Sequence, residues 1–226
     1  MTDFSPNVET LQLGTVNAYI INGERKILVD TGNPGGVKRI LARFRKYSID
    51  PSEISLILLT HYHADHTGNA AELKDTLNVP VAIHETEADG LSKGHAPAKP
   101  VTGFARFLAR MTERTKSPPC EADILLSDGF SLNAYGVEAK VIHTPGHSPG
   151  SCSVICKSGE ALTGDLVFGH LFLNRRKPAE PMFCDDQEQA RQSIRKLLSY
   201  EPAIIYPGHG GPFRSEDVAF KFGIHT

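Results

Sequence analysis

The densest chemistry in the chain lies in Thr60-His61-Tyr62-His63-Ala64-Asp65-His66-Thr67-Gly68, where three imidazoles and a carboxylate fall within six residues. In extended backbone His61 and His63 point the same way, because strand side chains alternate with a period of two, so one cation can engage both. Asp65 and His66 fall where the chain must turn into a helix. That break in period aims His66 at a different point from His63, and two adjacent metal positions follow. A polar turn with solvated histidines is the plain alternative, but such crowding costs stability unless something binds the group. Three more ligand-type residues share one local pattern of apolar strand, then Gly or Pro, then ligand: His147 in HTPGH, Asp165 in LTGD and His209 in IYPGHG. Together these are five His and two Asp, enough to give two cations three or four protein ligands each and a shared water.

Such residues need stiff elements behind them. Ile54 to Thr60, short, apolar and bounded, reads as a buried strand that delivers the cluster. Strands are also expected at Asn17–Ile21, Lys26–Asp30 (joined by a turn at Asn22-Gly23), Val79–His84, Val137–His143, Ser151–Cys156, Ala161–Phe168 and Ala203–Tyr206. Val37, Ile40, Leu41 and Phe44 recur every three or four residues, as do Ala190, Ile194, Leu197 and Leu198 behind Asp185-Asp186, and both stripes predict helices. A further helix is expected at Asn69–Leu77. Strands mixed with helices in two halves of similar order imply sheets covered by helices.

The length of 226 residues suits one domain over 1–226. Within it, the proline-bracketed stretch 90–121 is a candidate pocket-covering insertion whose apolar piece (Phe104, Phe107, Leu108, Met111) would be either a cleft wall or core. With 24 Lys and Arg against 26 Asp and Glu there is no basic excess, which argues against nucleic acid and membrane as partners and for a small-molecule substrate. MTDFSPNVET has no signal-peptide pattern, no apolar run approaches a bilayer span, and Cys120, Cys152, Cys156 and Cys184 form no metal or disulfide spacing, so a cytoplasmic setting is expected. His84, His95, His170 and His225 read as surface or structural, His143 as a strand-end histidine, and Arg175-Arg176-Lys177 as a solvated run.

The order H-x-H-x-D-H, then T-P-G-H, then G-D, then G-H resembles the metallo-beta-lactamase superfamily of hydrolases, across most of the chain. The resemblance implies an α/β (α+β) αββα sandwich of two mixed β-sheets flanked by helices. It also implies that His61, His63 and His147 hold a first metal ion and Asp65, His66 and His209 a second, with Asp165 bridging and Asp30 behind the ligands as a buried acceptor. Two divalent ions, zinc foremost with iron or manganese open, would share a water and lower its pKa from about 15.7 towards ~7. Asp65 would orient that water or carry its proton, and with Asp165 it completes the expected catalytic pair. His66 is unlike beta-lactamases proper, which usually replace it, and Phe168 stands where lactonases of similar length carry Tyr. Only 17 residues follow His209, too few for the glutathione-binding helical domain of glyoxalase II-like enzymes. The expected activity is hydrolysis of a small ester, thioester or lactone, in the glyoxalase II-like or lactonase-like branch. The alternative is a persulfide dioxygenase-like oxygenase with one iron on His61, His147 and Asp165.

Overall fold

The computed structural model describes residues 7–97, 99–106, 116–169 and 177–224. Strands β1 (Val8–Gln12), β2 (Asn17–Ile21), β3 (Lys26–Val29), β4 (Ile54–Leu58), β5 (Val81–His84) and β6 (Ile124–Leu126) form a six-stranded sheet in that order. It is antiparallel across β1, β2 and β3 and parallel from β3 to β6. The second sheet, in the order β13-β12-β9-β8-β7, comprises β7 (Ala139–His143), β8 (Cys152–Cys156), β9 (Glu160–Gly164), β12 (Ile204–Pro207) and β13 (Phe213–Arg214). It too is mixed, since only β9 and β12 run parallel. A ribbon of β10 (Phe168–Gly169) and β11 (Pro178–Ala179) lies beside it in sequence.

Three apolar clusters define four layers. Tyr19, Ile27, Leu56 and Leu58 of the first sheet meet Val141, Val154 and Leu162 of the second. Because side chains alternate, the intervening Leu28, Ile57 and Leu59 face outward onto Ile40 and Phe44 of α1 (Val37–Lys46) and Leu73 of α3 (Ala70–Leu77). On the far side Ile142, Ala161 and Ile205 pack on Ile194 and Leu197 of α6 (Gln187–Leu198) and Val218 of α7 (Ser215–Phe222). The result is the αββα sandwich, in which each fully buried Leu, Ile or Phe contributes about 1.5–3 kcal/mol. Short helices α2 (Ala64–Thr67) and α4 (Ala88–Ser92), a helical turn at 103–106 (α5) and 3-10 turns at Pro51–Glu53, Glu85–Glu87 and Asn133–Tyr135 complete the described set.

Local signals act where the spacing predicts. The Asp186 carboxylate accepts a hydrogen bond from the Gln189 N–H at 3.0 Å and caps α6. Arg43, Arg45 and Lys46 in the last turn of α1 face its negative dipole end. The expected strand at Ala161–Phe168 is instead interrupted. Gly164 adopts φ +50, and Asp165 turns out of the sheet before β10 begins at Phe168. An added Cβ on Gly164 would lie 2.5 Å from Thr60 Oγ1, so the absence of a side chain lets the two sheets close at this corner. Strands β1, β6, β11 and β13 and helices α4 and α7 are additions to the expected elements. All four cysteines are buried and unpaired. No helix among the described residues is long and apolar enough to cross a membrane.

Candidate metal centre

Five strand ends meet at one corner. Asp30 follows β3, the His61–His66 loop follows β4, and His147, Asp165 and His209 follow β7, β9 and β12. Backbone bonds stitch this corner: Cys152 N–H donates to Thr60 O and Asn17 N–H to Gly208 O, both at 2.8 Å and across the sheets, while Gly208 N–H donates to Gly164 O at 2.7 Å within the second sheet. Delivery from several rigid strand ends gives a site the precision that loops alone lack.

Three sets of side chains are close enough to share an ion: His61, His63 and His147; His61, His66 and Asp165; and Asp65, His66 and His209, with the atoms of each set within 4.8 Å of one another. In the first set His147 Nε2 lies 3.2 Å from His61 Nε2 and 2.9 Å from His63 Nδ1. Asp165 joins the halves, with Oδ1 3.3 Å from His66 Nε2 and Oδ2 3.7 Å from His147 Nε2 and 3.5 Å from His209 Nε2. Asp65 Oδ2 is 3.2 Å from His209 Nε2, and the Asp65 side chain is 35 % exposed while its histidine neighbours are buried.

The outer nitrogens of these imidazoles are engaged elsewhere, and that decides what the inner ones can do. His66 Nδ1 donates to Asp30 Oδ2 at 2.8 Å, His147 Nδ1 to the Phe183 carbonyl at 2.8 Å, and His209 Nδ1 to the Thr15 carbonyl at 2.8 Å. The Thr60 hydroxyl donates to Asp30 Oδ2 at 2.8 Å, so its oxygen is left to accept from His61 Nδ1 at 3.1 Å. His63 Nε2 faces the Pro97 carbonyl at 3.4 Å. With the ring protons held outward, the inward nitrogens of His61, His63 and His147 present converging lone pairs. Lone pairs at 2.9 and 3.2 Å repel unless a cation lies among them. His66 Nε2 and Asp165 Oδ1 are buried without a hydrogen-bond partner, and such orphans are rare in folded proteins. These residues fit a cation site of borderline His and carboxylate ligands.

Asp30 is the hub of the first half. It sits buried at φ +60, a conformation Asp tolerates better than most residues, and accepts from Thr60 N–H at 2.8 Å besides Thr60 Oγ1 and His66. Burial and the neighbouring imidazoles of His66 and His147 lower the pKa of His61, and burial with His147 brings His63 down to about 4. Burial likewise lowers His147. In the second half burial opposes the charged form, yet Asp165, Asp30 and Asp65 raise His66, and Asp165 and Asp65 raise His209. Burial works against the Asp165 carboxylate too, but His209 and His66 hold it down at about 2. In the first set burial thus favours the neutral imidazole, whereas the carboxylates around His66 and His209 favour the charged ring.

A metallo-beta-lactamase superfamily model matches residues 11–209, a span that contains every one of these groups. The chain belongs to that superfamily. Within it, a probable metallo-hydrolase of Methanocaldococcus jannaschii is 32 % identical over 198 residues, covering 86 % of this chain and 87 % of the relative. An atrochrysone carboxyl ACP thioesterase of Aspergillus fumigatus is 30 % identical over 91 % of this chain, which spans only 39 % of that longer protein. A structure solved in a di-iron-bound form aligns with a TM-score of 0.69 at 28 % identity, over 94 % of this chain and 96 % of the other. The superfamily assignment supports an enzyme with metal-binding residues.

The remaining histidines stand apart. His84 is buried and stacks on His143 with ring centroids 4.1 Å apart, and His95 is exposed. His170, His225, Arg175, Arg176, Phe107, Leu108 and Met111 lie outside the described residues. Of the expected apolar piece, Phe104 is 51 % exposed and Ala105 buried. The supports that sequence reading missed are Thr15, Asn17 and Phe183. Two of these act through backbone carbonyls, which leave no residue-type signal, and Asn17 sits inside a strand where its type looks incidental.

Proposed function

We propose that this protein is a dinuclear metal-dependent hydrolase that cleaves a small ester, thioester or lactone. The observation that carries this reading is the shared Asp165 between two sets of inward-facing imidazole nitrogens, each anchored from behind. His61, His63 and His147 would hold one ion and Asp65, His66 and His209 the other, with Asp165 between them. Bound divalent ions, zinc by this proposal, supply a nucleophilic water at neutral pH and polarise the attacked oxygen. Asp65 is the carboxylate of the set that solvent reaches, which suits it to orient the water and accept its proton at a carboxylate oxygen. The buried histidines exclude bulk water from the other side. The thioesterase relative supports an acyl substrate, and the near-neutral surface charge supports a small molecule over a nucleic acid or membrane.

The test begins with elemental analysis of protein purified without added metal, followed by esters, thioesters, lactones, beta-lactams and phosphodiesters, beside an oxygen electrode on glutathione persulfide. Two metal equivalents, with hydrolysis abolished by a chelator and restored by zinc, are expected. One equivalent of iron, with oxygen uptake and no hydrolysis, overturns the proposal in favour of a persulfide dioxygenase.

A further inference from the structure

Glu87 is a carboxylate the proposed chemistry does not use, yet it is 1 % exposed. A buried acid of this kind is costly and calls for a reason. It directly precedes α4, and its Oε1 accepts the Gly150 N–H at 2.8 Å, across 63 residues of sequence. Its Oε2 makes no hydrogen bond, while the Ser148 hydroxyl and the Tyr62 N–H face the carboxylate. The joint is tight from both sides: a Cβ on Gly150 would lie 2.7 Å from Glu87 Cγ, and one on Gly90 would lie 2.6 Å from Tyr62 Cδ2. Tyr62 in turn stacks on His63, with ring centroids 5.5 Å apart and planes 26° from parallel. One short element thus touches the loop just after His147 and the residue between His61 and His63.

We infer that Glu87 is a positioning residue for the His61, His63 and His147 half of the site, pinning the 148–150 loop while the helix it precedes supports Tyr62 against His63. The inference rests on the metal-site reading above. It adds a link between the two sheets that passes through no candidate ligand. The Asp30 network reaches His61 and His66 but makes no bond to His147. Glu87 adds, from the side of the first sheet, to the support that the Phe183 carbonyl gives the His147 ring and the Asp185 N–H gives its backbone.

The test is a zinc titration of the full chain against a chromophoric chelator, with melting temperature recorded for every variant. His147→Ala and His209→Ala assign the two binding steps. Glu87→Ala should weaken the step that His147→Ala removes by about 10- to 100-fold, the usual effect of deleting a group that orients a ligand, and leave the other step within a few-fold. Glu87→Gln retains an acceptor for Gly150 and should recover most of that affinity. Gly150→Ala attacks the same joint from the loop side and should shift the same step if Glu87→Ala does not fold. Unchanged affinity in Glu87→Ala, or equal weakening of both steps in line with a lower melting temperature, overturns the inference. A wild-type chain that binds no zinc, iron or manganese would instead defeat the proposed function, a result the same titration separates.

Discussion

The two sheets equip the same corner in different ways. The first supplies four candidate ligands from one loop after β4, anchored by side chains: Asp30 holds His66 directly and His61 through Thr60. The second supplies three from separate strand ends, and its two histidines are anchored by the carbonyls of Phe183 and Thr15. One half can therefore be loosened by changing an anchoring residue's type. The other has backbone acceptors as the direct partners of its rings, so a side-chain change reaches it only through the loops that carry those histidines. The halves meet at Asp165, whose two oxygens face His66 on one side and His147 and His209 on the other.

Asp165→Ala breaks the comparison most severely, since it deletes the group both halves share. Hydrolysis of the best substrate found should fall by several kcal/mol of transition-state stabilisation, on the order of 10³-fold, while circular dichroism stays native because no apolar core contact is lost. Wild-type turnover with unchanged metal content would remove Asp165 from the site. Asp30→Asn tests the side-chain anchors. Asn tolerates φ +60 but swaps one acceptor for a donor facing His66 and Thr60. Affinity for the ion assigned to Asp65, His66 and His209 should fall about 10- to 100-fold in a zinc titration.

The joint between the halves should be visible in pH. Burial lifts Glu87 to about 7 from an ordinary 4.5, with the nearby Asp185 adding to the rise and the Ser148, Gly150 and Tyr62 donors opposing it. The folded state therefore favours the protonated form, so this contribution is present below about 4.5 and is lost as pH rises through about 7. Comparison with Glu87→Gln in the same metal state cancels the histidine terms. The variant should gain on wild type by up to roughly 3 kcal/mol between these limits, and a pH-independent difference in denaturant midpoints would rule this out. The smallest effect is expected from Asn17→Ala. Its amide donates to the Pro207 and Gly210 carbonyls at 3.2 and 2.9 Å, framing His209. The Pro207 carbonyl keeps the Tyr19 hydroxyl and the Gly210 carbonyl is only half-buried, so the loss should cost about 1 kcal/mol in urea melts, with zinc affinity changing less than in Asp30→Asn.

Much of this was legible in residue order. The β2, α1 and α6 boundaries follow from alternation, a three-to-four repeat and an Asp cap, because each depends on neighbours in the chain. The His61–His66 cluster was legible for the same reason. The short strands β6, β10, β11 and β13 were not, since two or three residues carry no period and pair only because a longer neighbour presents an edge. The apolar pattern of 161–168 carries no sign that Gly164, at φ +50, turns Asp165 out of the sheet.

By itself the sequence determined which side chains could bind a cation and that stiff strand ends would carry them, since ligand chemistry and hydrophobic period are properties of residue type. Only the tertiary structure decided which nitrogen of each imidazole faces inward, because that depends on the carbonyls of Thr15 and Phe183 and the carboxylate of Asp30 arriving from elsewhere in the chain. The same holds for Glu87, whose type announces a surface acid and whose place between Tyr62 and Gly150 makes it a buried strut. Burial and partnership are created by packing two sheets together, and no local pattern records them.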